Sequence, residues 1–173
     1  MATKYKLQDI AQLNGRDVFL DANILIYLFW PTGQHLFENN YACVFSHLLR
    51  QNNKLYVDFL VISEVINRVV RIEHQKLNPA QKFKEFRNSQ EGQDTLKDIY
   101  LIVKDEILSK LNVIGKAFNK QEIENSLIVD KLDFVDKAIV TLCKKNTLVL
   151  LTNDKDFKDS DLDILTCNPA ILN

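Results

Sequence analysis

Four short apolar runs punctuate this chain: Asp17-Val18-Phe19-Leu20, Leu55-Tyr56-Val57, Thr147 to Leu151 (TLVLL) and Leu162 to Leu165. At three to five residues each they are strand-length and too brief for helices, and TLVLL is β-branched and leucine-rich without a polar interruption. Between them apolar residues recur at helical spacing. Phe37, Tyr41, Val44, Phe45, Leu48 and Leu49 mark one helix, and Val61, Ile62, Val65, Ile66, Val69 and Val70 a second. Leu96, Ile99, Tyr100, Val103, Ile107 and Leu111 mark a third, and Val135, Ala138, Ile139 and Leu142 a fourth. Strands alternating with helices imply an α/β fold, a parallel sheet covered on both faces. In such sheets the ligand site lies beyond the carboxyl ends of the strands.

The remaining composition narrows the class. A chain of 173 residues, 46% hydrophobic, has the size of one domain, and four Gly with three Pro exclude a fibrous or disordered chain. Basic and acidic residues number 22 and 23, so no global positive field draws in nucleic acid or anionic membrane, and such contact needs a local patch. Cys43, Cys143 and Cys167 are far apart and odd in number, and with His35, His47 and His74 they form no zinc-type spacing. Free buried thiols in a reducing compartment are the expectation. The start lacks a signal-peptide core, and the longest apolar run, 24–30, is too short to span a membrane, so a cytoplasmic location is expected. One composition shift stands out. Residues 76–93 are polar, interrupted by Pro79, and carry four basic against two acidic residues; they are expected to form a helical segment projecting from a single domain spanning 1–173.

The chemistry-bearing residues cluster just past the strand ends. The first strand runs into Asp21-Ala22-Asn23, the second into Asp58, and TLVLL into Thr152-Asn153-Asp154-Lys155-Asp156-Phe157. Glu64 lies on the polar face of the second helix with Asn67, Arg68 and Arg71, and Asp133 and Asp136 share a face at the start of the fourth. Carboxylates at adjacent strand ends repel, so either some stay protonated or a hard divalent cation holds them. Each has a plainer role. Asp21, Asp133 or Asp136 could cap a helix, Glu64 could pair with Arg68, and Asp154 and Asp156 could shape a turn. The joint pattern, without a nucleophile motif beside it, favours a metal site.

The ordered segments Leu20-Asp21-Ala22-Asn23-Ile24-Leu25, Ser63-Glu64-Val65, Asp133-Phe134-Val135-Asp136-Lys137-Ala138-Ile139 and Leu151-Thr152-Asn153-Asp154-Lys155-Asp156-Phe157 resemble the PIN-domain ribonucleases, most of all the VapC-type toxins of toxin–antitoxin pairs. The likeness extends from about Asp17 to Pro169. It implies a three-layer sandwich with a central, mainly parallel twisted sheet, and a Mg²⁺- or Mn²⁺-dependent ribonuclease leaving 5′-phosphate and 3′-hydroxyl ends. Carried over by position, Asp21, Glu64, Asp136 and Asp154 are the metal-binding and catalytic acids. Asp133 and Asp156 are additional carboxylates, and Asn23 and Thr152 support the site through hydrogen bonds. A cognate antitoxin and a homodimer are implied in the same way. The chain is longer than compact VapC-type toxins, with the surplus read as a helical elaboration over 76–111, and Lys137 stands where the family often has a small residue.

A cation site grips little of a nucleic acid by itself. Arg68 and Arg71, beyond Glu64 on the same helix, are the phosphate-contact candidates, with pairing to Glu64 or Glu73 as the alternative. Lys82, Lys84 and Arg87, interleaved with Phe83 and Phe86, could form a stacking platform, or the phenylalanines could simply dock the segment. Rival readings are a Mg²⁺-binding receiver domain using Asp58, a haloacid-dehalogenase-type phosphatase whose second acid would be missing at Asn23, and a PIN fold that binds or assembles without cutting.

Overall fold

The computed structural model describes residues 2–173. Among the described residues six strands form a single all-parallel sheet: β1 (Lys4–Tyr5), β2 (Val18–Leu20), β3 (Leu55–Val57), β4 (Asn112–Val113), β5 (Val149–Leu151) and β6 (Ile164–Leu165). Their order is β1-β6-β5-β2-β3-β4, with Val18 beside both Leu55 and Val149 and Leu20 beside Leu151. Every residue of β2 and β5 is buried, as the unbroken apolar runs demand of strands covered on both faces. The described residues also form eight α-helices: α1 (Ala22–Phe29), α2 (His35–Arg50), α3 (Phe59–Leu77), α4 (Phe83–Asn88), α5 (Gln90–Ile102), α6 (Lys120–Ser126), α7 (Phe134–Asn146) and α8 (Pro169–Leu172). Helices α1, α2, α3 and α5 pack on one another, and α7 packs with α6; with the sheet they make a three-layer α/β sandwich. Among the described residues no helix is long and apolar enough to cross a membrane.

Several expectations shift in detail. Strands β1 and β4 were not anticipated; each is two residues long at an edge of the sheet, half-exposed or exposed, and so carries no apolar run. Thr147 does not begin β5 but ends α7 in the left-handed region at φ 55°. The third helix starts earlier than its apolar spacing and closes in a π-type turn over Val103–Ile107, where the Leu108 N–H donates to the Val103 carbonyl. The expected projection of 76–93 is overturned. Phe86 is fully buried, and both Phe83 and Phe86 pack on the His74 ring of α3, at centroid distances of 5.6 and 5.0 Å. Gly92 of α5 is what permits this fold-back, since a Cβ there would stand 2.0 Å from the Phe86 carbonyl oxygen. The thiols also differ from expectation: Cys143 is buried, Cys167 partly so, and Cys43 exposed.

Candidate active site

From β2 the chain connects through α1 and α2 to β3 on one side, while β5 leads to β6 on the other. The sheet therefore changes direction between β2 and β5, and a crevice opens beyond their carboxyl ends. Asp21 and Thr152 occupy it. Asp21 extends the ladder by donating its N–H to the Leu151 carbonyl at 3.1 Å, and it caps α1, accepting from the Ala22 N–H at 2.7 Å.

Its other oxygen, Oδ2, accepts from the Asn23 amide and from the Thr152 hydroxyl, both at 2.6 Å. Thr152 is fully buried and in turn accepts the Asp154 N–H at 3.0 Å, so one hydroxyl ties two acids together. Asn23 Oδ1 accepts the Asn153 N–H at 3.1 Å. The supporting positions Asn23 and Thr152 thus stand against Asp21. Burial raises the Asp21 carboxyl to about 6 despite the Thr152 and Ala22 bonds, and the charges of Glu64 and Asp154 push the same way.

Asp133 and Asp136 begin α7 as a reciprocal capping box: Asp133 Oδ1 accepts the Asp136 N–H at 2.8 Å, and Asp136 Oδ2 accepts the Asp133 N–H at 3.2 Å. Asp136 is raised to about 7, first by burial and then by the charges of Asp133, Asp21 and Asp154. Asp154 caps the following turn through the Asp156 N–H at 3.0 Å. The Asp156 side chain lines a separate cavity with Asp130, Lys131 and Asp159. Asp58 caps α3 through the Val61 N–H at 2.8 Å and is buried, which removes the exposed acceptor that a receiver domain needs.

The capping roles and the gathering of acids coexist. Asp21 feels the charges of Glu64 and Asp154, and Asp136 those of Asp21 and Asp154, yet among the described residues no three His, Cys, Asp or Glu side chains form a group that could hold a metal ion. The donors are nonetheless of the right kind: all oxygen, and at least two of them carboxyls whose ionised forms are disfavoured in each other's presence. A hard divalent cation would relieve that repulsion, with Asp21, Glu64, Asp136 and Asp154 as the residues to hold it.

The basic candidates have partners. Arg68 pairs with Glu64 at 3.0 Å in an exposed i,i+4 bridge, and the Arg71 guanidinium lies 4.1 Å over the Phe83 ring. With Phe83 and Phe86 facing the body, the phenylalanines serve docking and leave Lys82, Lys84 and Arg87 exposed. Lys137 reaches the carbonyls of Ser126 and Ile128 and the Asp130 carboxylate, latching the 126–130 loop to α7. Asn153 and Tyr41 were not singled out from sequence. Tyr41 read only as an apolar helix position, and nothing local marks where its hydroxyl goes.

The PIN domain family model matches residues 18–161. Among solved structures the chain is similar to PAE2754 from Pyrobaculum aerophilum, with 17% identity over 91% of this chain and 88% of that one and a TM-score of 0.51. It is also similar to VapBC2 from Rickettsia felis, solved bound to a DNA fragment from their promoter, with 18% identity over 86% and 97% of the two chains and a TM-score of 0.48. At such identities the likeness is one of fold. No curated protein matches the chain.

Proposed function

The chain belongs to the PIN domain family, and from that premise we propose that it is a divalent-metal-dependent endoribonuclease whose centre is built from Asp21, Glu64, Asp136 and Asp154. PIN domains are generally nucleases and generally depend on divalent cations. The observation that carries the reading is Asp21: a buried acid at the switch point of the sheet, held by Asn23 and Thr152 and within reach of the charges of two other acids. A buried carboxylate that weakens its own fold needs a reason to persist.

Bound Mg²⁺ or Mn²⁺ would neutralise charge on the phosphate oxygens and acidify a water. Asp21 is the fixed point of the site, its orientation set by three donors. Asp136, whose carboxyl is raised to about 7 first by burial and then by like charge, would hold the cation in its ionised form. Glu64, half-exposed and paired with Arg68 at 3.0 Å, would hold the cation from α3, and in doing so would release the guanidinium for phosphate. Arg71, stacked on Phe83 at the exposed face of the same helix, extends that basic edge. Asp133 adds its charge to that of Asp136, and Asp156 stands two residues beyond Asp154 as a further carboxylate.

Purified protein incubated with 5′-labelled RNA should cut it in Mg²⁺ or Mn²⁺ and not in EDTA. The products should carry 5′-phosphate and 3′-hydroxyl ends. Asp21→Asn should lose more activity than the roughly 100-fold that removal of an outer-shell partner costs. RNA that is bound and never cut would overturn the enzyme in favour of a binding or assembly module. A finer reading makes the chain a cytoplasmic, homodimeric toxin blocked by a short antitoxin that places a basic side chain among the acids. Rescue of growth by a short neighbouring gene would support that, and its failure would return the chain to a nuclease without a cognate inhibitor.

A further inference from the structure

Tyr41 on α2 is fully buried, and a tyrosine there for packing alone could as well be phenylalanine, since a buried hydroxyl is costly unless bonded. This hydroxyl is bonded on two sides. It donates to Asn153 Oδ1 at 2.9 Å and accepts the Cys167 N–H at 3.2 Å, joining the carboxyl ends of β5 and β6. Asn153 is the hub of the opposite side. Its N–H goes to Asn23, its carbonyl accepts the Asn168 amide at 2.6 Å, and its side chain takes Tyr41. Each bond leads to a different part of the fold.

The residues on either side of Asn153 are the ones that bear on the acids. Thr152 holds the Asp21 carboxylate, and Asp154 is itself one of the four. A shift of Asn153 must therefore carry the Thr152 hydroxyl and the Asp154 carboxylate with it. We infer that Tyr41 and Asn153 are positioning residues of the cation site: the bond between them sets the spacing of Asp21 and Asp154, and so the affinity for the cation, although neither touches cation or RNA. The inference rests on the assignment of these acids as cation ligands.

The test is titration of Mn²⁺ alone into metal-stripped protein, followed by electron paramagnetic resonance, for the unaltered chain, Tyr41→Phe, Asn153→Ala and the double variant. Each single variant should bind Mn²⁺ about 10-fold or more weakly, as loss of an outer-shell partner does elsewhere. The double variant should be no worse than the weaker single one, because both remove the same bond. Losses that add, or single variants with unaltered affinity, would overturn the inference, as would absence of Mn²⁺ binding by the unaltered chain. Should Tyr41→Phe fail to fold, the affinity of Asn153→Ala decides alone. In RNA cleavage at limiting Mn²⁺ both variants should lose kcat with KM unchanged, and excess Mn²⁺ should restore the rate. If the Mn²⁺ pattern holds and no RNA is cut, the positioning role stands and the nuclease reading falls.

Discussion

Replacing Thr152 with valine removes one oxygen and keeps the side-chain outline. That oxygen donates to Asp21 Oδ2 at 2.6 Å and accepts the Asp154 N–H at 3.0 Å, and the residue is fully buried, so water cannot take its place. A hydrogen bond to a charged partner contributes about 1.5–3 kcal/mol, and a stranded donor costs about 1–3 kcal/mol. Because the Asp154 N–H is only partly buried, the lower end of the second range applies, for a total of about 2.5–4 kcal/mol with Asp21 ionised. Asp21 titrates at about 6 in the native protein. Below that pH the bond joins two neutral groups, whose net value is about 1 kcal/mol, and the deficit should shrink to about 2 kcal/mol. Thr152→Val should thus fall further behind the parent at pH 8 than at pH 5 in urea unfolding with EDTA present. Thr152→Ser, which keeps the hydroxyl, should show little of this dependence. Equal deficits at the two pH values, or one below about 0.5 kcal/mol at pH 8, would refute the charge-assisted role of the hydroxyl.

The parent protein should itself lose stability as pH rises. Its Asp21 and Asp136 carboxyls are raised to about 6 and 7, so the native state binds those protons more tightly than the unfolded chain. Stability is then full below about pH 4 and declines through pH 6 and 7, with Asp21 alone accounting for on the order of 2–3 kcal/mol by pH 8. Urea midpoints in EDTA at pH 5 and 8 test this, and Mn²⁺ at pH 8 should reverse the loss; a flat profile would contradict it. Gly92→Ala sets a Cβ against the Phe86 carbonyl and should cost about 1–3 kcal/mol by overpacking, with α4 loosened in hydrogen exchange. Unchanged protection of α4 would show that the close approach does not hold the segment. Arg68→Ala breaks an exposed pair, so stability should change by less than about 0.5 kcal/mol. RNA affinity should nevertheless fall and its salt slope flatten by about one, and an unaltered slope would confine Arg68 to its bridge with Glu64.

Much of the site was legible as local chemistry. Asp21, Asp136 and Asp154 follow strands or open a helix, and the capping geometry that each adopts is set by residues within three positions of it. Asn23 and Thr152 came from the family likeness, and both hydrogen-bond to Asp21 Oδ2. Tyr41 and Asn153 were not legible. Their hydrogen bond joins residues 112 apart in the chain, and neither residue type is unusual at its position. The fold-back of α4 was hidden for a related reason. Lys82, Lys84 and Arg87 dominate the segment's composition, whereas one buried ring, Phe86, and one missing Cβ, Gly92, decide where it packs.

The sequence by itself determined which stretches are strands and helices in the centre of the sheet, and that acids follow the strands. Burial on both faces of β2 and β5 requires unbroken apolar runs, and helix caps need acids or amides beside them. Only the tertiary structure decided that β2 lies beside β5, that Thr152 meets Asp21 from 131 residues away, and that two-residue edge strands complete the sheet. Parallel pairing has no short connection to announce it. The partner of a strand, and with it the company each carboxylate keeps, is chosen by how the helices pack across the sheet's two faces.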